Sequence, residues 1–355
     1  MLLISSIIAF LTTCLFIWTL QPLAHRIGLI DKPGGRKKHD GNIPLIGGIA
    51  IYIGLVVGLM VSPQPIADYK GLLLGGGILL IIGTIDDFFD LKAATRFLAQ
   101  ITAAFIIIFA DGVLLTNLGN LFGTGALELS WLSTLFTLFA IVGVINATNM
   151  SDGMDGLAGG LAFVTVVALS IISFSQNHIV NPVYVIILAT LFSFLLFNMR
   201  YRWNPTAKIF IGNGGSMLLG LMLAWLLINS AQGEAGIMTP VTALWIFALP
   251  LLDTVCIMIR RIAKGQSPFA PDREHFHHIL LVAGYSVKQS VWIMMCVATF
   301  LATIGYVSLQ ANIPEQVLFF GMLGLFGLYF WGMSRAWRVM KAIRIERNEP
   351  QTQHR

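Results

Sequence analysis

The sequence is a succession of apolar runs, nearly free of charge, separated by short polar stretches. Each run is close to the roughly 20 residues that a helix needs to cross about 30 Å of hydrocarbon. In lipid no backbone amide can stay unpaired, so such runs must close their hydrogen bonds internally, as helices. A membrane β-barrel would show short segments of alternating polarity instead, and no such alternation is present. Of 355 residues, 56% are hydrophobic and only 11% charged, where a soluble domain carries about a quarter charged. The chain therefore reads as an all-α polytopic integral membrane protein, without a soluble module large enough to bury its own core.

Eleven spans are expected, at 2–20, 43–61, 71–85, 97–110, 131–147, 157–175, 183–197, 215–231, 239–258, 290–309 and 317–333. The third is rich in glycine and the fourth is short. The first has no basic residue ahead of it and no small-residue cleavage site before Gln21, so it is expected to be a retained helix. Twenty-one of the 22 Lys and Arg residues fall on one side of this pattern, and only Lys70 falls on the other. By the positive-inside rule the N-terminus is then outside and the C-terminus cytoplasmic. The net charge of +5 thus points to lipid. Arg335, Arg338, Lys341, Arg344, Arg347 and Arg355 suit anionic headgroups, at about 1 kcal/mol per charge near the surface. They lack the aromatic pattern that would indicate nucleic acid. Cys14, Cys256 and Cys296 lie in apolar segments without CxxC spacing and read as small hydrophobic residues.

Charge at membrane depth is costly and usually functional, so the carboxylates matter most. Asp86, Asp87 and Asp90 follow the third span. Asp152 and Asp155 sit in Asn-Ala-Thr-Asn-Met-Ser-Asp-Gly-Met-Asp-Gly, between spans five and six, three residues apart and on one face if the turn is helical. The segment Phe210-Ile-Gly-Asn-Gly-Gly-Ser216 opens span eight. A solvated helix cap explains one acidic pair, and a second pair on the same membrane face weakens that explanation. Oxygen ligands beside glycines that permit close approach suit Mg²⁺ or Mn²⁺ shared with substrate phosphates. The glycine-rich helix start can offer N–H groups to an anion, and helix packing through small residues explains it about as well.

The fifth cytoplasmic loop runs from Arg260 to His278. His275, His277 and His278 there suggest zinc, contacts to phosphate and nucleotide, or a structural loop. Zinc would more usually want spaced histidines with a carboxylate or thiolate, so phosphate contact is favoured. Asp253, inside span nine, needs a partner, with Arg260, Arg261 or a site residue as candidates.

These stretches, with Pro240-Val-Thr-Ala-Leu-Trp245 and Ser267-Pro-Phe-Ala-Pro-Asp-Arg273, occur in order on one membrane side across about 200 residues. Together they resemble the polyprenyl-phosphate N-acetylhexosamine-1-phosphate transferase superfamily, which includes MraY and the eukaryotic dolichol-phosphate enzyme. Within it the match is to the WecA type of Gram-negative bacteria. The resemblance implies a transmembrane catalytic domain at 1–333, with site loops on the cytoplasmic face of the bacterial inner membrane, and a basic cytoplasmic tail at 334–355. It implies transfer of GlcNAc-1-phosphate from UDP-GlcNAc to undecaprenyl phosphate, with release of UMP, as the first membrane step of O-antigen or enterobacterial common antigen-type glycan synthesis. It also implies catalytic roles for Asp86, Asp87 and Asp155. Donor contacts would come from Asn149, Asp152, Arg261, His275, His277 and His278. Mg²⁺ or Mn²⁺ would be held by Asp87, Asn149 and the residue at 213. There the family carries an aspartate and this chain has Asn213, so impaired turnover is expected. Expected partners are the two substrates and anionic membrane lipids, with a homodimer as the protein association to test, and no nucleic acid.

Two routes fit the resemblance: direct attack of the lipid phosphate on the sugar-linked phosphorus, or a covalent intermediate on one aspartate. Other UDP-N-acetylhexosamine donors are the nearest rivals, although the MraY histidine signature is longer than His-Phe-His-His. A transporter would show internal repeats, broken helices and charge at mid-membrane, and only Asp253 meets that description. A scaffold gives no reason for five aspartates in glycine-rich loops.

Overall fold

A computed structural model describes residues 1–32, 41–177, 179–233, 236–267 and 274–348, with side chains inside the last helix described to Trp337. Arg36, Lys37, Lys38, Arg273 and the stretch 268–272 lie outside the described residues, as do Arg355 and the side chains of Arg338, Lys341, Arg344 and Arg347.

The chain is an assembly of helices: α1 Leu2–Ile27, α2 Gly47–Met60, α3 Lys70–Phe89, α4 Ala93–Asp111, α5 Ser133–Met150, α6 Leu157–Asn177 and α7 Pro182–Asn198. There follow α8 Gly212–Ala231, α9 Pro240–Ile246, α10 Ala248–Ala263, α11 Phe276–Val282, α12 Val287–Gln310 and α13 Glu315–Asn348. The described strands are β1 Ile30–Asp31 and β2 Ile43–Pro44, an antiparallel pair with Ile30 opposite Pro44.

Each expected span falls on one of these elements, but they are not equally able to cross a bilayer. Eight are long and apolar enough, and a ninth follows if α9 and α10 count as one span bent by 83°. At 14 and 17 residues, α2 and α7 are the shorter apolar helices, near 21 and 25 Å at about 1.5 Å per residue. The glycine-rich third span and the short fourth are instead full helices of 20 and 19 residues. The ninth is broken, and Pro250 supplies the reason. It has no N–H for the carbonyl of Ile246, so an uninterrupted helix through it would lose a rung and clash. The break at Phe247 puts Pro250 in the first turn of α10, where no intrahelical donor is needed.

Local chemistry sets several ends. Gly28 closes α1 at φ 80° with its N–H on Ala24 O. Ser286 and Gln289 form a reciprocal capping box at α12, satisfying donors that have no partner within the helix. At the opposite end of α3 from the aspartates, the Asp111 carboxylate accepts from Gly71 and Leu72 N–H at 2.6 and 2.8 Å and from Trp225 Nε1 at 2.9 Å.

α8 is the central element. It is buried nearly all round, as a helix apolar on every side must be, and it packs against α3, α5 and α2. The approach to α3 and α2 is glycine on glycine. A Cβ on Gly83 would stand 2.1 Å from Gly214 Cα, and one on Gly48 2.2 Å from Gly215 Cα. The chains leading into α2 and α8 are also stitched together: Phe210 N–H donates to Pro44 O, and Gly47 and Gly48 N–H donate to Phe210 and Ile211 O. Large apolar side chains such as Leu3, Trp18, Phe109, Trp131 and Phe139 face outward, as expected where the surroundings are lipid. These packings bring the C-terminal end of α3 beside the N-terminal end of α8.

Candidate active site

The last turn of α3 carries Asp86 and Asp87, and Asp90 closes it in the left-handed region at φ 49° with its N–H on Asp86 O. Asp86 is 4% exposed and fully engaged. It accepts from Leu91 N–H at 2.7 Å, from Arg96 at 3.3 Å and from the Asn213 side-chain amide at 2.9 Å. Asp87 accepts the Asn213 backbone N–H, 3.1 Å from each oxygen. The anion at the glycine-rich start of α8 is therefore the chain's own Asp87, where the partial positive charge of the helix end favours it. Gly212 takes φ +76°, and a Cβ on it would meet Asp87 Oδ2 at 2.7 Å. The glycines thus serve close approach on one side of α8 and helix packing on the other. Asp90 is exposed and sits apart from these contacts.

Asn149, in the last turn of α5, accepts from Ser216 Oγ at 2.7 Å, and Ser216 also donates to Asn213 O. Asn213 thereby ties α8 to α3 through its backbone N–H and its side-chain amide, and Ser216 links its carbonyl to Asn149 on α5. Asn146, one turn earlier, is held by Gln100 at 2.8 Å.

The helical turn expected for Asp152 and Asp155 is not formed. Residues 151–156 make an irregular turn between α5 and α6, because Gly153 and Gly156, the latter at φ +85°, break the helix. The pair divides accordingly. Asp155 is bound by Arg200 Nε at 2.6 Å, and Gly156 N–H is fixed by Asn198 at 2.7 Å. Asp152 receives no hydrogen bond or ion pair from the described residues. Its side chain is exposed to solvent, although protein packs closely around it. That crowding first, and then the carboxylates of Asp87 and Asp155, push its pKa up from 3.8 to about 7. Like charges raise it however exposed it is.

The histidine loop closes on this turn. His277 is 1% exposed, and a Cβ on Gly153 would stand 2.3 Å from its Nε2. Neither of its ring nitrogens has a hydrogen-bond partner among the described residues. Burial and the neighbouring His278 and His275 push its pKa down to about 3, so it is neutral. His278 lies beside it, ring centroids 4.2 Å apart, and His275 at 5.4 Å.

Asp253 finds its partner in this loop and not in Arg260 or Arg261. It binds His275 Nδ1 at 2.8 Å, Phe276 N–H at 3.0 Å and Tyr329 Oη at 2.8 Å. Arg260 pairs instead with Glu274 at 2.8 Å, and Arg261 is buried in the last turn of α10. Asp253, His275 and His277 have ligand atoms within 4.8 Å of one another, and so form the group among the described residues with the spacing of a metal site. The carboxylate that the zinc reading lacked is thus present, but three donors already occupy most of its roughly four lone-pair positions. Asp152, by contrast, has no counter-charge among the described residues.

The sequence did not single out Arg96, Gln100, Asn198, Arg200 or Tyr329. Each is a polar residue in or beside an apolar helix, which is the only signal it carries, and apart from Arg96, ten residues from Asp86, its partner is remote in the chain.

Residues 69–231 match the family model described as Glycosyl transferase family 4. That range runs through α8 and holds the aspartates, Asn149 and Asn213, and it ends before the histidine loop. Similar proteins named undecaprenyl-phosphate alpha-N-acetylglucosaminyl 1-phosphate transferase occur in Pasteurella multocida, Haemophilus influenzae and Yersinia pestis. The first is 39% identical over 99% of both chains, the second 39% identical over 96% of both. The third is 37% identical over 94% of this chain and 92% of the relative.

Proposed function

This chain belongs to glycosyl transferase family 4 and, within it, to the undecaprenyl-phosphate alpha-N-acetylglucosaminyl 1-phosphate transferases, and on that premise we propose that it transfers GlcNAc-1-phosphate from UDP-GlcNAc to undecaprenyl phosphate and releases UMP. The observation that carries the reading is the acidic cluster: Asp87 on the N-terminus of α8, with Asp152 near it and without a counter-charge among the described residues. A soluble sugar nucleotide and a lipid phosphate meet at the end of a helix bundle, and both bring negative charge. The site must therefore take a cation as well as its substrates.

In this reading Asp87, Asn149 and the side-chain oxygen of Asn213 would hold Mg²⁺ or Mn²⁺, with Asp152 adding negative charge nearby. The amide nitrogen of Asn213 is turned to Asp86. When bound, the metal would neutralise the diphosphate and so lower the charge barrier to attack. The acceptor phosphate, with a second pKa of about 6, is already largely dianionic at pH 7 and needs no strong base. One of its oxygens forms the new bond to the sugar-linked phosphorus. The bond from that phosphorus to the bridging oxygen breaks, and UMP departs with it. Positioning and charge cancellation supply most of the rate in such transfers. Direct attack is favoured over a covalent intermediate on Asp86, whose lone pairs are taken by three donors. Asp155, fixed by Arg200, shapes the turn that presents Asp152. His275, His277, His278 and Arg261 face the donor.

The charge sorting supports a cytoplasmic site face in the bacterial inner membrane, with the N-terminus outside and the basic tail against anionic lipid. α13 continues without a break past residue 334 to Asn348, so the tail at 334–355 is proposed as its extension and the catalytic domain as 1–333. The downstream products are proposed to be O-antigen or common antigen-type glycans. UMP release in detergent, with undecaprenyl phosphate and a panel of UDP-GlcNAc, UDP-GalNAc and UDP-MurNAc-pentapeptide, tests the reading. Release with UDP-GlcNAc foremost is expected, and preference for either other donor would overturn the specificity.

A further inference from the structure

The histidine loop is held from behind by α10 and by α13, and α13 carries none of the residues named so far for the chemistry. Asp253, buried in α10, accepts three hydrogen bonds, two of them on Oδ1 from Phe276 N–H and Tyr329 Oη, and one on Oδ2 from His275 Nδ1. An ionised carboxylate only accepts, so His275 must carry its proton on Nδ1 and leave Nε2 for the site. One residue earlier, Trp337 Nε1 donates to Glu274 O at 3.0 Å. The Glu274 carboxylate is gripped by Arg260 and Lys264 at 2.8 and 2.7 Å. Residues 274–276 are therefore tied to α10 and α13 through both backbone and side chains. From His275 the contacts run forward through the His277 ring to Gly153, next to Asp152.

We infer that Tyr329, acting through Asp253, is a positioning residue that fixes the tautomer and direction of His275, so that the C-terminal helix α13 sets the geometry of the donor-binding loop. The hydroxyl of Tyr329 orients the carboxylate, and the carboxylate orients the imidazole. Phenylalanine at 329 keeps the ring that packs edge-on against Phe276, 6.2 Å away, and removes only the bond. A purely structural tyrosine would act on stability alone. A positioning tyrosine acts on donor affinity and has no effect once the imidazole is gone. The functional part of the inference rests on the donor-site reading of the histidine loop. The tautomer part does not.

The test uses the full chain in detergent, with two readouts. Calorimetry with UDP-GlcNAc should show Tyr329→Phe weakening the donor by about tenfold, the scale of one lost hydrogen bond to a charged group. Undecaprenyl-phosphate affinity should be unchanged. In a His275→Ala background the same substitution should cost nothing further, because its target is absent. An equal added loss in that background would overturn the inference. Selective ¹⁵N-histidine spectra, assigned by the His275→Ala difference, should show His275 protonated at Nδ1 and its signal displaced in Tyr329→Phe and Asp253→Asn. A neutral imidazole protonated at Nε2 would also overturn it. If UDP-GlcNAc does not bind the unmodified chain, the donor reading fails, and the ¹⁵N signature alone decides whether Tyr329 positions His275.

Discussion

At Asn213 an amide stands where the resemblance implies an aspartate. Its Nδ2–H closes the gap to Asp86 at 2.9 Å, so the two side chains attract without any ion between them. An aspartate there would face Asp86 as a second carboxylate, and such a pair needs a cation or a proton. Asn213→Asp should accordingly make the thermal midpoint depend more strongly on Mg²⁺ than that of the chain as it stands. It should also raise Mg²⁺-dependent UMP release by about 10²-fold, the scale of one preorganised electrostatic contact in a transition state. Equal rates across a Mg²⁺ titration would show that 213 is not a metal position. Asp152 makes a second prediction. With its pKa raised to about 7, it is protonated below neutrality and charged above, so protons compete with the cation there. The Mg²⁺ concentration for half-maximal activity should rise as pH falls from about 8 to 6, and Asp152→Asn should flatten that dependence. The residue types at this site were legible in the sequence, since carboxylates and amides are conspicuous in so apolar a chain. Their pairing was not. Asp152 and Asp155 looked equivalent, and only the fold shows that Arg200 neutralises one and leaves the other exposed to Asp87.

Among the elements, α8 carries the design. Its first turn presents Asn213 to both aspartates, and its glycines let α3 and α2 approach within backbone contact. Gly83→Ala would place a methyl carbon 2.1 Å from Gly214 Cα, so the α3–α8 interface must open. A loss of about 1–3 kcal/mol, the usual cost of overpacking, is expected, together with reduced activity as Asp86 and Asp87 leave Asn213. Gly143→Ala on α5 has open space around it and should leave the thermal midpoint in detergent unchanged. If the two variants melt alike, the glycine contact does not set the interface. Hydropathy located the helices because burial in lipid demands apolar runs whatever the tertiary contacts. It missed the break between α9 and α10, where a single Pro250 overrides an apolar pattern. It also gave α2 and α7 the standing of full spans, although their helices are short.

For the whole molecule, transfer from a soluble donor requires the acidic cluster, the histidine loop and the basic loops to share one face, turned to the cytoplasm. In a background without native cysteines, Gln266→Cys should resist an impermeant thiol reagent in intact cells, and Thr124→Cys, in the loop between α4 and α5, should react. Labelling at 266 from outside would invert the topology. The chemistry is tested most directly by following the two phosphorus atoms of the donor. UDP-GlcNAc labelled in the sugar-linked phosphate is supplied with undecaprenyl phosphate and Mg²⁺, and the lipid is extracted. Transfer of sugar and phosphate together puts the label in the lipid as a diphosphate and leaves unlabelled UMP in water. Label retained in the water phase as UDP, with GlcNAc on the lipid, would mean that the chain moves the sugar alone, and would contradict the account.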